Sequence, residues 1–174
     1  KAFDVGTGKL NLLVGTAYSW HTIDTERHAT VSGTSQKLKA DYRADTTQLF
    51  TELGYAMPIG STALEPFVGV AWSKLQTRSF SESGGSAALN GRSQSNDQTT
   101  TTLGLRAQTP FSVSTTNGTV RGSVGWRHAF GGLTPQSTLA FNGSQSFTVA
   151  GTAMARDAAL LELGTDIAIS RNAT

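Results

Sequence analysis

The chain contains no cysteine, which excludes disulfides, thiolate nucleophiles and cysteine metal sites. It is also poor in charge, with Asp, Glu, Lys and Arg together at 15% and a net charge of +2. The basic residues are scattered and form no patch of the kind a nucleic acid requires, so no nucleic-acid partner is expected. Apolar residues, at 37%, fall below the ~45–50% of ordinary soluble domains. No run approaches the ~18 apolar residues of a membrane-spanning helix. His21, His28 and His128 lack metal-ligand spacing. Gly6-Thr7-Gly8-Lys9 lacks the Ser/Thr that follows the lysine of a phosphate loop, since Leu10 stands there, and Phe3 occupies the place of the first glycine. There is no G-x-S-x-G nucleophile elbow. These absences leave no expected catalytic residue, cofactor or metal, and the segment reads as a non-enzyme.

What is abundant is glycine, at 19 residues, set among Ser/Thr runs and six stretches of alternating apolar and polar residues. Period-two alternation marks a strand with one apolar face. The stretches are Lys9–His21, Asp45–Met57, Ala63–Arg78, Gln98–Phe111, Thr119–Phe130 and Ala158–Ser170. Each carries a glycine on its polar side: Gly15, Gly54, Gly69, Gly104, Gly125 and Gly164. The same side holds Glu52, Glu65, Glu162 and Asp166, with Arg106, Arg121 and Arg127. The stretches exceed the ~5–6 residues usual in soluble strands and suit tilted strands that cross a bilayer in ~9–11 residues. Read this way, the apolar side faces lipid, and the glycines and charges line an aqueous lumen in which the glycines keep the bore open. Arginines in neighbouring strands repel, so acidic neighbours are expected beside them.

The connections alternate in length. Residues 57–63 and 112–119 are short, the second holding Asn117-Gly118 as a turn signal, and another short turn is expected at 170–174. Residues 22–44, 79–97 and 131–157 are long, and 137–151 alternate weakly through Leu139, Phe141, Phe147 and Val149, which allows a short extra hairpin. Short turns at one end and long loops at the other is the outer-membrane barrel pattern. The apolar-side aromatics sort by end as well. Tyr18, Trp20, Trp72 and Trp126 lie toward the long loops, and Tyr55 and Phe111 toward the short turns, as two interfacial girdles would.

Gly125-Trp126-Arg127-His128-Ala129-Phe130-Gly131 resembles the Gly-Trp-Arg-His-x-Phe-Gly segment of autotransporter β-domains. Phe147-Thr148-Val149-Ala150-Gly151, Ala155-Arg156-Asp157-Ala158 and Leu163-Gly164-Thr165-Asp166-Ile167-Ala168-Ile169-Ser170 follow in the family's order. Ala17-Tyr18-Ser19-Trp20-His21, Glu52-Leu53-Gly54-Tyr55 and Leu64-Glu65-Pro66-Phe67 are similar to earlier parts of it. The resemblance implies an all-β, antiparallel, up-and-down transmembrane barrel of twelve strands. About six of these, the fifth to the tenth, fall within residues 1–174, without the first four strands, the helix that threads the lumen, or the last two strands. It implies a place in the bacterial outer membrane, and a translocator role for an N-terminal passenger segment. Outer-membrane lipid and the barrel-assembly machinery are the implied partners. In some members the lumen cuts the passenger from the barrel, which makes Glu52 and Glu65 the candidates here, although a structural ion pair accounts for them more simply. Six such strands leave two unpaired edges, which a second copy could cover.

Two other readings fit the same alternation: a porin-like passive channel, and a soluble surface β-sandwich that binds ligands. Sedimentation and far-UV circular dichroism with and without mild detergent separate the membrane readings from the soluble one. The chain is expected to be β-rich and discrete only in detergent, whereas a cooperative monomer in plain buffer would return the sandwich.

Overall fold

A computed structural model describes residues 1–113 and 116–167. Its strands are β1 (Ala2–Val5), β2 (Gly8–Val31), β3 (Thr34–Ile59), β4 (Thr62–Thr77), β5 (Phe80–Ser81), β6 (Leu89–Gly91), β7 (Gln94–Val113), β8 (Thr116–Phe130), β9 (Gln136–Phe141), β10 (Phe147–Ala150) and β11 (Asp157–Ile167). Seven form one sheet in the order β1-β2-β3-β4-β7-β8-β11, every pair antiparallel. β2, β3, β4, β7, β8 and β11 are the six alternating stretches, and β1 is an additional short strand. Gly6-Thr7 forms the β1–β2 turn.

The register gives the sheet two unlike faces, because directly opposed residues of an antiparallel pair point the same way. Leu12, Leu53, Val68, Leu103, Trp126 and Ala159 form one row across six strands, and Leu13, Glu52, Gly69, Thr102, Arg127 and Ala158 form the next. The first kind of row makes an apolar outer face and the second a polar inner face. Pro66 has no N–H to give β3, and there the β3–β4 ladder skips Tyr55 and Ala56 before resuming in the same register at Met57–Leu64.

The long connections differ from their sequence reading. Residues 22–44 are not a loop: β2 and β3 run on as one hairpin of 24 and 26 residues, closed by Ser32 (φ 48°) and Gly33 (φ 82°). Positive φ at both central residues is the two-residue turn whose twist matches the strands it joins. Residues 79–97 and 131–157 contain a second antiparallel sheet of order β10-β9-β6-β5, in which β9 and β10 are the hairpin that Leu139, Phe141, Phe147 and Val149 suggested. Asn117-Gly118 is not a turn. The pairs Ser112–Asn117 and Phe111–Gly118 place it inside β8, and residues 114–115 lie outside the described residues. The expected turn at 170–174 also lies outside them.

The second sheet is fastened to the β2–β3 extension. Lys39 and Ser83 exchange backbone hydrogen bonds at 2.9 and 2.8 Å, and Phe80 stacks on Tyr42 with centroids 4.7 Å apart. Arg27 donates from Nε and Nη2 to the Glu82 carboxylate at 2.9 and 2.6 Å and also reaches Ala87 O. Glu82 accepts a further bond from Leu89 N–H at 2.9 Å. Leu38, at 0% exposure, is the one large side chain fully enclosed among the described residues, and it lies here.

The Arg27 guanidinium, helped by the Leu89 N–H, holds the Glu82 carboxyl below its ordinary value of 4.5. A carboxylate whose folded pKa is depressed stabilises fully above its unfolded value and loses that contribution as pH falls through the folded one. Amide exchange across 80–91, corrected for intrinsic rate, is therefore expected to stay slow down to the ordinary carboxylate range and to quicken below it. Glu82→Gln is expected to show the quick exchange at every pH. An identical pH profile for the two proteins would mean that the pair does not hold this segment.

Candidate functional site: the inner face of the sheet

The ladders put all the charged residues named from sequence on the inner face. Glu65, Arg106, Ser123 and Glu162 form one row across β4, β7, β8 and β11. Four residues closer to the long-loop end lies the row that holds Glu52 and Arg127. Arg106 bridges the two rows. Its guanidinium passes over the Phe67 ring, 3.9 Å from the centroid, and meets the Glu52 carboxylate at 2.7 and 2.8 Å. Such a bidentate pair fixes both side chains, since the two planar groups match edge to edge. Toward the short-turn end Arg121 pairs with Asp166 of β11. Glu65 accepts a bond from Asn11 Nδ2 at 3.1 Å. Glu162 and Arg127 make no ion pair among the described residues.

The arrangement is a polar wall whose charges are tied across strands, from Glu52 on β3 to Arg106 on β7 and from Arg121 on β8 to Asp166 on β11. Two shallow concavities sit on it. One, of about 180 Å³, is lined by Glu65, Arg106, Gln108, Arg121 and Glu162. The other, of about 540 Å³, is lined by Phe50, Glu52, Phe67, Arg127 and Leu160. Among the described residues no cluster of His, Asp or Glu is placed to hold a metal ion. The wall can exchange hydrogen bonds and ion pairs with a polar chain beside it. Glu52 and Glu65 are engaged with Arg106 and Asn11 rather than with each other.

The inner glycines divide into two groups. A Cβ on Gly15 would overlap the Phe50 ring, one on Gly104 the Phe67 ring, and one on Gly54 the Glu65 carboxylate. At these three positions the missing side chain is the seat for a neighbouring strand's ring or carboxylate, which lies flat on the sheet. Glycine covered by a cross-strand aromatic is a recurrent sheet device. At Gly69 and Gly164 nothing approaches a Cβ closer than 3.5 and 3.4 Å, while Gly125 faces the backbone of β7. The bore-opening role read from sequence thus does not extend to Gly15, Gly54 and Gly104. Asn11, Phe50 and Phe67 were not singled out as site residues. Their signal is positional, since each stands one strand away from a glycine or an acid of the inner rows.

The aromatics named from sequence all fall on the outer face. Tyr18 and Trp20 lie side by side with ring centroids 6.2 Å apart. Tyr55 donates its hydroxyl to Val5 O at 2.9 Å, beside the β1–β2 turn. Trp126 donates Nε1–H to Asp157 at 3.1 Å, and the same carboxylate oxygen meets His128 Nδ1 at 2.7 Å. Trp72 opposes Leu49 and Thr99, and the Phe111 ring covers Gly118. Between the two ends the face is bare apolar surface, with Val14 at 69% and Leu161 and Leu163 at 79% exposure.

Residues 2–174 match a family model described as Autotransporter beta-domain. Two curated proteins of Serratia marcescens, both named "Extracellular serine protease", are similar to the chain, at 39% identity over 167 residues and 38% over 166. Each alignment covers 95% of this chain and 16% of the relative, so the chain spans about a sixth of the length of the curated relatives it matches.

The atoms nearest a side chain grown at Gly15 belong to the Phe50 ring. Gly15→Val is expected to lower thermal stability by about 1–3 kcal/mol through overpacking, and Phe50→Leu to recover most of that loss in the double variant. Heat-induced loss of β-structure in detergent measures both. Additive losses would show that ring and glycine are not coupled.

Proposed function

The chain belongs to the autotransporter β-domain family, and we propose that its inner face lines the passage through which the N-terminal passenger segment reaches the cell surface. As a member of that family it is an outer-membrane, all-β translocator domain. The observation that carries the assignment of faces is the uncovered apolar side. Large side chains such as Trp20 and Leu163 stand at 78% and 79% exposure, while the second sheet is fastened to the β2–β3 extension through Tyr42, Arg27 and Leu38 of the inner side. A soluble sandwich would bury its apolar side against protein; a bilayer buries it against lipid. Tyr18, Trp20, Trp72 and Trp126 then mark the outer interface, and Tyr55 and Phe111 the periplasmic one.

Among the described residues β1 and β11 are the edges of the sheet, and there we place the remaining strands of the closed barrel, because lipid does not tolerate open edges. Pairing with a second copy is the alternative for the isolated segment. Insertion by the barrel-assembly machinery and contact with outer-membrane lipid follow from the same reading. The relatives' name supplies one candidate activity for the exported part, serine proteolysis. Catalysis is assigned to that part and not to these residues.

The absence of cysteine makes single-cysteine labelling clean. In intact cells Ser32→Cys, at the tip of the long hairpin, is expected to react with a membrane-impermeant maleimide. Ser61→Cys, in the β3–β4 turn, is expected to react only after the outer membrane is permeabilised. Equal reaction of both in intact cells, or the reverse order, would overturn the orientation.

A further inference from the structure

The outer face carries one cluster of charge that the chain itself leaves unmatched. Arg78 N–H donates to Arg43 O at 2.9 Å, which continues the β3–β4 register one step past Ala44–Thr77. Arg43 and Arg78 are therefore directly opposed. Both point outward, because the adjacent pair Ala44–Thr77 belongs to the inner side, where Ala44 is buried. Like charges directly opposite each other on a sheet repel. Lys74 stands on the same face of β4, two residues past Trp72 and four before Arg78, and opposes Asp97 of β7. Arg78 reaches Asp45 at 3.4 Å with its side chain 68% exposed. Among the described residues neither Arg43 nor Lys74 makes an ion pair. Asp45 and Asp97 thus face Arg43, Arg78 and Lys74, and the patch keeps a positive excess.

The patch borders the apolar surface that Trp20 and Trp72 delimit. Directly beneath it on β3 and β4 lie Leu49 and Val70, at 50% and 41% exposure. Interfacial aromatics stand at the level of the lipid headgroups, and long basic side chains there lay their stems on apolar surface and hold their charge among the headgroups. Farther out the face changes character. Lys37 is tied to Glu26 at 2.8 Å, and Asp24 opposes Asp41. The unmatched cations are thus confined to the span next to the aromatics. Beside Lys74, β7 runs on from Thr99 to Gln94 past the end of β8. A hollow of about 460 Å³ opens there, with Asn96, Asp97, Thr134 and Gln136 among its lining. Its amide, carboxylate and hydroxyl groups suit the hydroxyls of a sugar and not an acyl chain.

We propose that Arg43, Arg78 and Lys74 bind the phosphate groups of a phosphorylated glycolipid of the outer leaflet, with its sugar toward the Asp97 hollow and its acyl chains on the apolar face below Trp72. The inference rests on the outer-membrane reading of this face. A phosphate set between Arg43 and Arg78 turns a repelling pair into two charge-assisted contacts, and a guanidinium takes phosphate oxygens two at a time. Lys74 lies about 13 Å along the strand from Arg78, which leaves room for a second anionic group of the same headgroup. A free phosphate would use the cations but not the apolar surface beneath them. The glycolipid uses both, and the polar hollow as well.

The test uses the full-length protein folded in nonionic detergent, with fluorescent lipopolysaccharide as the probe and anisotropy as the readout. Arg43→Gln, Arg78→Gln and Lys74→Gln are each expected to weaken binding about fivefold, the usual effect of one basic residue at an anionic lipid surface. Lys9→Gln, on the inner face opposite Ala56, is expected to leave it unchanged. Heat-modifiable migration reports that each variant is folded. Dephosphorylated lipopolysaccharide, phosphatidylglycerol and inorganic phosphate are expected to compete poorly. Should the arginine variants fail to fold, a photo-crosslinking residue in place of Gln76, between Lys74 and Arg78 on the outer face, decides the matter in cells. It is expected to capture lipopolysaccharide. Capture of protein alone, unchanged affinity in all three variants, or equal competition by any of the three competitors would overturn the headgroup site and leave the translocator reading standing. A protein that stays a discrete monomer in plain buffer would overturn the membrane reading itself.

Discussion

Lipid offers no hydrogen-bond partner to a backbone amide, so a sheet that crosses it must pair each strand along its whole buried length. Every other feature of this chain follows from meeting that condition with strands that never slip. The β2–β3 ladder holds one register from Lys9–Ala56 to Val31–Thr34, and β4–β7, β7–β8 and β8–β11 do likewise. A slip of one residue would turn Glu52, Arg106 and Arg121 toward lipid and Leu53, Leu105 and Val120 toward water. The cost of exposing such charges to hydrocarbon fixes the register as firmly as the backbone bonds do.

The inner face meets a second requirement, which is to remain polar without being loose. Rings and carboxylates are laid over glycines of the adjacent strand, as with Phe50 on Gly15 and Glu65 on Gly54, so the wall stays thin where it is packed. The Arg106–Glu52 pair spans three strands with the Phe67 ring beneath it. A pair with this much contact with water adds little net stability. Its effect is to fix where charge stands on the wall. The uncommitted groups, Glu162 and Arg127, are then the ones left to meet whatever occupies the space in front.

The alternating segments were legible because lipid and water impose opposite demands on successive residues. The positions of the six long strands could be read from that pattern, and the up-and-down order came with the family resemblance. Beyond the bilayer the outer face meets water instead of lipid, and the pattern inverts rather than continues. Residues 22–31 and 34–43 put Asp24, Glu26, His28, Lys37, Lys39 and Asp41 on the outer face and Ile23, Leu38 and Tyr42 on the inner one, so the apolar stripe that marks the strands below stops there. Asn117-Gly118 misled because a turn dipeptide inside a strand looks the same as one at its end; only the pairing Ser112–Asn117 tells them apart. Arg27 and Glu82, 55 residues apart, carry no local sign of each other.

The placement of the buried core follows from there being two solvents. Within the bilayer the outer side chains are removed from water by lipid, and the sheet needs no second protein layer to make burial favourable. Beyond the bilayer the β2–β3 extension has no such help, and a strand pair alone is marginal in water. It therefore needs a core of its own. Leu38, Ala40 and Ala44 are buried on its inner side, and the segment between β5 and β6 folds over Leu38 and is locked by Arg27 and Glu82. Burying a leucine contributes about 1.5–3 kcal/mol, enough to order a small layer that has few other apolar contacts. The outcome is a miniature soluble fold standing on a membrane sheet and joined to it by two strands that pass from one solvent to the other without a break in register. On the proposed translocation path, a polypeptide leaving the inner wall would meet an ordered surface at the mouth rather than a set of loose loops.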